Sequence, residues 1–152
     1  EISFLSGIKS IYSGKESCTD CKGTVVFYLD GTKHSLYAFT DNTVNWKDYS
    51  LAYPTIDVKI YLGNRLPKGY SSISQVKEFF IERDFPYSIY WDPENIFYEY
   101  NRLDYVQYEN KTFQIYLVEK NKILSDYQFG IPSLRKSQLL EFFDVSPLKL
   151  NR

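Results

Sequence analysis

The sequence has no methionine, only two cysteines and only one histidine among 152 residues, and these scarcities exclude several kinds of site. A structural zinc site needs about four ligands, and Cys18, Cys21 and His34 fall short of that number. Asp20 or Asp30 would have to complete the set. A Ser-His-Asp triad would have to use His34, which lies in a predicted strand beside a turn, and no Gly-x-Ser-x-Gly elbow occurs. No glycine-rich phosphate loop occurs either, so we predict no metal and no cofactor.

The chain also lacks a strong charge, a long apolar run and a leader. Its net charge of −1 provides no excess of positive charge to attract nucleic acid, so no nucleic-acid partner is expected. No apolar run approaches the roughly 20 residues that cross a bilayer, and the start does not resemble a signal peptide. A chain that begins at Glu1 and has no Met indicates processing or trimming, which is compatible with export. Two closely spaced cysteines fit an oxidising compartment. We therefore expect an extracytoplasmic protein, whether periplasmic, surface-anchored or secreted.

What the sequence has in abundance is tyrosine. The 15 Tyr and 11 Phe residues raise the aromatic content to 18%, while 43% hydrophobic and 24% charged residues are ordinary for a soluble globular domain. A length of 152 residues predicts a single domain. Most of the rings are expected to build a sheet-rich core, and the remainder could form a binding patch for a protein or peptide partner.

The N-terminal part of the chain has the pattern of a β-hairpin. Thr24–Leu29 is β-branched and aromatic, which predicts a strand. Asp30 and Gly31 tolerate positive φ and predict a hairpin turn, after which His34–Thr40 is predicted to return as the second strand.

The rest of the chain predicts alternating strands and helices. Ile56–Leu62 alternates with period two, and Ser72 with Gln75 can cap a helix over 73–84 that Pro86 ends. The remaining predictions are a strand at Tyr87–Trp91, a helix start at Asp92-Pro93-Glu94, a hairpin of Thr112–Glu119 with Ile123–Gly130, and a last helix over 133–143.

This order resembles the C-terminal two thirds of thioredoxin-like proteins, in particular the redoxin branch with peroxiredoxins and periplasmic thiol–disulfide reductases. The resemblance covers roughly residues 56–145. The segments that carry it are Val58–Leu62, Val76–Glu82, Phe85–Glu94, Thr112–Val118 and Lys120–Ile123.

The resemblance implies an α/β fold, a thioredoxin-like mixed β-sheet flanked by helices, here with an extra N-terminal β-hairpin. We expect residues 1–33 to form the N-terminal extension and hairpin, 34–145 the core and 146–152 a tail. The sheet is predicted to consist of 34–40, 56–62, 112–119 and 123–129.

Two departures from the family pattern bear on the chemistry. The family places a nucleophilic cysteine where the first central strand ends and a helix begins, since a helix N-terminus favours the thiolate. The matching position is expected around Thr40–Trp46, which contains no cysteine. The family's proline before the hairpin falls at Glu109–Lys111, where there is no proline. The usual active site is therefore expected to be absent.

The two cysteines occur elsewhere, as Cys18-Thr19-Asp20-Cys21. The C-x-x-C spacing is typical of redox or metal chemistry. However, Gly23 and the β-branched residues that follow predict a strand instead of a helix. If the pair is catalytic, Cys18 would be the attacking thiol and Cys21 the resolving one, by the usual order of exposure.

Three functions remain open. The leading hypothesis is a non-catalytic thioredoxin-like binding or accessory domain of an exported protein, with Trp46, Asn110 and Lys111 at its docking surface. The alternative is a thiol–disulfide oxidoreductase that uses Cys18 and Cys21. A secreted structural or inhibitor module held by a Cys18–Cys21 disulfide is the third.

Overall fold

The computed structural model describes residues 2–5, 7–14, 18, 20–32, 35–40, 45–103, 114–127 and 143–149. The strands are β1 (Lys9–Tyr12), β2 (Gly23–Asp30), β3 (Ile56–Gly63), β4 (Ser88–Asp92), β5 (Gln114–Glu119) and β6 (Lys122–Tyr127). The helices are α1 (Trp46–Ala52), α2 (Ile73–Glu82) and α3 (Ile96–Tyr100), with a 3-10 helix at Leu36–Phe39.

The six strands form one mixed sheet in the order β1-β4-β3-β2-β5-β6. The central strands β2, β3 and β4 are parallel, while β1 pairs with β4, β5 with β2, and β6 with β5 in antiparallel fashion. β2 pairs with β3 along its whole length, from Gly23 opposite Ile56 to Asp30 opposite Gly63. The parallel centre therefore has two ends, an amino edge at Gly23 and Ile56 and a carboxyl edge at Asp30, Gly63 and Asp92.

Both faces of β2 are buried, which is typical of a central parallel strand. Val25, Phe27 and Leu29 pack with the 3-10 helix, α1 and α2. Val26 and Tyr28 face the other way and pack with Phe97 of α3. The helices thus cover the sheet on two sides and position the loops at both edges.

The predicted N-terminal hairpin is wrong. Thr24–Leu29 does lie in a strand, but that strand is β2, which pairs with β3 and β5. Leu36–Phe39 forms a 3-10 helix, and no residue of 35–40 belongs to a strand. The side chain of Asp30 accepts hydrogen bonds from Thr32, and Ser35 caps the 3-10 helix, so the local bonds turn the chain away from its own strand.

The position of β2 also changes the division of the chain. The central strand lies inside the range 1–33 that the sequence assigned to an N-terminal extension. It takes the place in the sheet that was predicted for 34–40.

The predictions for the middle of the chain are confirmed. The strand at 56–62, the helix at 73–84, the strand at 87–91 and the antiparallel hairpin appear as β3, α2, β4 and β5–β6. The last helix, predicted over 133–143, lies outside the described residues except for Phe143.

Candidate functional site

The carboxyl edge of the parallel strands is where open α/β sheets normally hold their ligands. Three loops meet there, after β2, β3 and β4. The backbone N–H of Gly31 donates to the carbonyl of Gly63 at 3.0 Å, and the N–H of Arg65 donates to the same carbonyl at 2.9 Å. These bonds hold the loops after β2 and β3 against each other.

A buried polar network lies under this edge. The hydroxyl of Tyr28 lies 3.1 Å from Asp92 Oδ2 and 2.6 Å from Asn95 Oδ1. The side-chain amide of Asn95 donates in turn to Asn64 Oδ1. Asn64 and Asn95 both have positive φ, 66° and 58°, which asparagine tolerates better than most residues. The network therefore links the ends of β2, β3 and β4 through side chains.

Asp92 is the centre of that network. Its side chain is 1% exposed. Its Oδ1 accepts from the N–H of Ile96 at 2.8 Å, and its Oδ2 accepts from the N–H of Phe97 at 3.0 Å. The predicted helix start at Asp92-Pro93-Glu94 is wrong in position, because α3 begins at Ile96 after Asn95, but the Asp92 carboxylate does accept from N–H groups of the first turn. Burial, and then the Asp92 carboxylate, raise the pKa of the Tyr28 hydroxyl above its ordinary value, so Tyr28 keeps its proton.

The loop after β2 occupies the position where the family resemblance places a nucleophilic cysteine. Asp30 Oδ1 accepts from the N–H of Thr32 at 2.9 Å and from its hydroxyl at 2.6 Å. Ser35 Oγ accepts from the N–H of Tyr37 at 3.3 Å and caps the 3-10 helix. The first central strand ends at Asp30 and not at Thr40, so the segment that directly follows it lies before the predicted range Thr40–Trp46. The corrected segment, Thr32-Lys33-His34-Ser35, also contains no cysteine.

Of the three residues predicted to form a docking surface, Trp46 is the one that the structure describes. Trp46 is 2% exposed and packs against the rings of Phe27, Phe39 and Phe85. Its ring belongs to the core and does not face solvent. Asn110 and Lys111 lie outside the described residues.

The cysteines lie at the opposite edge of the sheet. Cys18 and Cys21 form a disulfide, with their Cα atoms 5.4 Å apart. The following residue, Lys22, donates its N–H to the carbonyl of Thr55 at 2.8 Å, and Gly23 begins β2. As predicted, the motif leads into a strand. Since β2 has eight residues, the disulfide and the Thr32–Ser35 segment are separated by roughly 25 Å along the strand.

The two sulfur-bearing residues differ in exposure. Cys21 is exposed, whereas Cys18 is half-buried, the reverse of the order assumed when Cys18 was assigned as the attacking thiol. Cys18 lines a small cavity of about 40 Å³. The other lining residues are Ser50, Tyr53, Pro54, Ile56, Asp57 and Tyr87.

Neither edge offers a metal centre in the part of the chain that the structure describes, where no three His, Cys, Asp or Glu residues are grouped to hold an ion. Within the same residues, no helix has the length and apolar character to cross a membrane.

Comparisons with known proteins bear on the fold. No protein-family model matches the chain, and no curated protein matches it either. Among solved structures, the chain is similar to a domain of a possible thiol-disulfide isomerase from Cytophaga hutchinsonii. The identity is 18% and the TM-score 0.51, over 82% of this chain and 77% of that one. It is also similar to an uncharacterized thioredoxin-like protein from Porphyromonas gingivalis, with 13% identity and a TM-score of 0.44, over 86% of this chain and 78% of that one.

The first of these similarities agrees with the observed topology. A mixed six-stranded sheet has parallel strands at its centre, and helices cover both of its faces. The protein has a thioredoxin-like fold.

Proposed function

We propose that the chain is a non-catalytic, thioredoxin-like binding or accessory domain that acts outside the cytoplasm. One observation carries the proposal: the loop after the central strand has Thr32 and Ser35 where a redox pair would be expected, and the two cysteines lie at the opposite edge of the sheet. A thiol at a helix N-terminus becomes a good nucleophile because that position favours the thiolate. Cys21 is followed by a strand.

The carboxyl edge has the properties of a surface for a protein or peptide. Tyr37 follows the capping Ser35 and is 62% exposed, and Ile96 at the start of α3 is 49% exposed. Asn64 and Asn95, which follow β3 and β4 at this edge, are half-buried and carry side-chain amides that can pair with a peptide backbone. Exposed apolar side chains and oriented amides at one edge are typical of protein-binding surfaces. Rigidity under the edge lowers the entropic cost of binding.

The location outside the cytoplasm is supported by the Cys18–Cys21 disulfide, because disulfides persist in oxidising compartments.

An insulin-reduction assay with dithiothreitol tests the absence of catalysis. We expect the wild-type protein to leave the rate at the dithiothreitol background. The matched variant T32C/S35C places a C-x-x-C pair at the carboxyl edge and is expected to accelerate insulin reduction severalfold. Clear turnover by the wild type that is lost in C18S/C21S would overturn the proposal. A folded but inactive T32C/S35C variant would show that residues 32–35 do not occupy the position of a redox cleft.

The second candidate is a thiol–disulfide oxidoreductase that uses Cys18 and Cys21. The exposure of Cys21 and the cavity beside Cys18 favour it, as does the similarity to a protein described as a possible thiol-disulfide isomerase. The same assay separates the two candidates, because only an oxidoreductase would lose turnover on replacement of Cys21 by Ser.

A further inference from the structure

Three segments that are distant in sequence meet at the amino edge of the sheet. Lys22, next to the disulfide, is bonded to Thr55 in the turn between α1 and β3. Leu148 donates its N–H to the carbonyl of Ala52 at the end of α1, at 2.8 Å. The ring of Phe143 lies against Gly23 so closely that a side chain there would overlap it. Residues 20–23, the α1–β3 turn and the segment 143–149 therefore contact one another at this edge.

The two cysteines of this disulfide differ in exposure. Cys21 is exposed, while Cys18 is half-buried and borders the cavity that Tyr53 and Asp57 also line. A thiolate reduces a disulfide by direct attack on one sulfur, so access decides which sulfur is attacked. The accessible residue is Cys21, and Cys18 is then the leaving group.

We propose that the Cys18–Cys21 disulfide is a thiol-exchange site at which the protein is the electron acceptor of a dithiol reductant, and that its reduction loosens the amino edge. A thiolate of the reductant attacks the sulfur of Cys21, the Cys18–Cys21 bond breaks, and Cys18 leaves as a thiolate that takes a proton from water. The second thiol of the reductant then attacks the mixed disulfide. It releases Cys21 as a thiol, and the reductant leaves as a disulfide, so two electrons have passed to the protein.

The structural consequence follows from the position of the disulfide. It ties Cys18, which borders the cavity, to the residue that precedes Lys22 and Gly23. Once this bond is broken, the hydrogen bond of Lys22 to Thr55 remains, but Cys21 is no longer joined through sulfur to Cys18 beside the cavity. The contact of Phe143 with Gly23 lies next to this loop, so we expect the loosening to reach the segment 143–149. β2 beyond its first residues is held by two neighbouring strands and stays in place.

The site of attack can be read directly with glutathione as the probe. The oxidised wild-type protein is treated briefly with reduced glutathione, quenched in acid, alkylated and digested with trypsin. Both cysteines fall in the peptide Glu16–Lys22, and fragmentation locates the adduct. We expect at least tenfold more glutathione on Cys21 than on Cys18. Equal labelling, or a preference for Cys18, would overturn the assignment.

Hydrogen exchange tests the structural consequence. The oxidised protein, the protein reduced with a phosphine and the variant C18S/C21S are compared by mass spectrometry. Reduction should accelerate exchange at least fivefold in 18–23, 52–57 and 143–149 and leave β3 and β4 unchanged, and C18S/C21S should match the reduced protein. An unchanged pattern, or uniform acceleration through the sheet, would overturn the proposal. The carboxyl-edge proposal does not depend on this outcome, since its assay reads insulin turnover.

Discussion

The two ends of β2 are held by different forces. At the carboxyl edge, a buried carboxylate, a tyrosine hydroxyl and two asparagine amides are joined by hydrogen bonds, and Asp92 is 1% exposed. At the amino edge, a disulfide, an aromatic ring over a glycine and single backbone bonds hold three segments together. The carboxyl edge is stabilised by hydrogen bonds between buried polar side chains. The amino edge is stabilised in part by a covalent bond, the Cys18–Cys21 disulfide.

In a thioredoxin-like redox site, the reactive cysteines would lie at the edge of the sheet where ligands bind. Here the cysteines lie at the opposite edge. The rigid edge, where ligands of open α/β sheets bind, contains no sulfur. At the edge that contains sulfur, Cys21 leads into the strand β2 and not into a helix. This difference supports the two proposals, binding at one end and thiol exchange at the other, and the variants below test whether the two ends differ in stability.

The largest effect is expected from Asp92→Ala. The change removes the acceptor of the buried Phe97 N–H and of the part-buried Ile96 N–H, and it takes one of the two acceptors away from the Tyr28 hydroxyl. Since each unsatisfied buried donor costs about 1–3 kcal/mol, we expect a loss of about 4 kcal/mol in the free energy of unfolding. Urea denaturation followed by fluorescence measures it.

Asp57→Ala is the matched control at the other end. Asp57 lies at the amino edge, 3.4 Å from the ammonium of Lys59, in a partly exposed pair. Such pairs contribute under about 1 kcal/mol, so this variant should lose little stability. Equal losses of unfolding free energy from Asp92→Ala and Asp57→Ala would show that the buried polar network does not stabilise the carboxyl edge more than the amino edge is stabilised.

The second prediction compares the glycines that flank or begin β2. A Cβ at Gly31 would overlap the backbone carbonyl of Arg65, which is held by the loop after β3. A Cβ at Gly23 would overlap the ring of Phe143, a side chain, and a side chain adjusts more readily than a backbone carbonyl. We expect Gly31→Ala to cost about 3 kcal/mol and Gly23→Ala about 1–2 kcal/mol, by the usual cost of overpacking. Thermal or urea unfolding gives both values, and a larger loss for Gly23→Ala would show that the amino edge is the more rigid one.

Local features of the fold could be predicted from the sequence, whereas features that depend on long-range pairing could not. The helix α2 was predicted correctly because its signals are local: Val76, Phe79 and Phe80 form one apolar stripe, and Ser72 Oγ accepts from the N–H of Gln75 at 3.2 Å. The hairpin was predicted wrongly because Asp30 and Gly31 signal a turn without indicating whether the chain returns to the same strand. The decisive partners of β2 are β3 and β5, which lie far along the chain.

One signal in the sequence did point to the centre of the sheet. Val25, Val26 and Phe27 are consecutive apolar residues, a run that predicts burial on both faces and hence a parallel central strand. With β2 placed there, Thr32 and Ser35 follow as the corrected site position. The network around Asp92 could not be predicted in this way, because Tyr28 and Asp92 are 64 residues apart and only the pairing of three strands brings them together.

The last comparison is between two buried tyrosines and has the smallest expected effect at neutral pH. Tyr28 makes hydrogen bonds at the carboxyl edge, whereas the hydroxyl of Tyr49 on α1 is buried without a hydrogen-bond partner among the described residues. Tyr28→Phe should therefore cost about 1–2 kcal/mol, and Tyr49→Phe should be neutral or slightly stabilising. Burial raises the pKa of both hydroxyls, with Asp92 adding to the effect on Tyr28 and Tyr53 to that on Tyr49.

This raised pKa gives the two variants a common behaviour in alkali. The unfolded chain releases each of these protons near pH 10, before the folded chain does, so stability is complete below pH 10 and falls as the pH rises beyond it. Each tyrosine contributes a slope of about 1.4 kcal/mol per pH unit, and each Phe variant should reduce the total slope by that amount. Urea unfolding between pH 9 and pH 11 separates the two contributions. A variant of Tyr28 that lost stability at pH 7 but kept the full alkaline slope would show that its hydrogen bonds stabilise the edge while its hydroxyl titrates as if exposed.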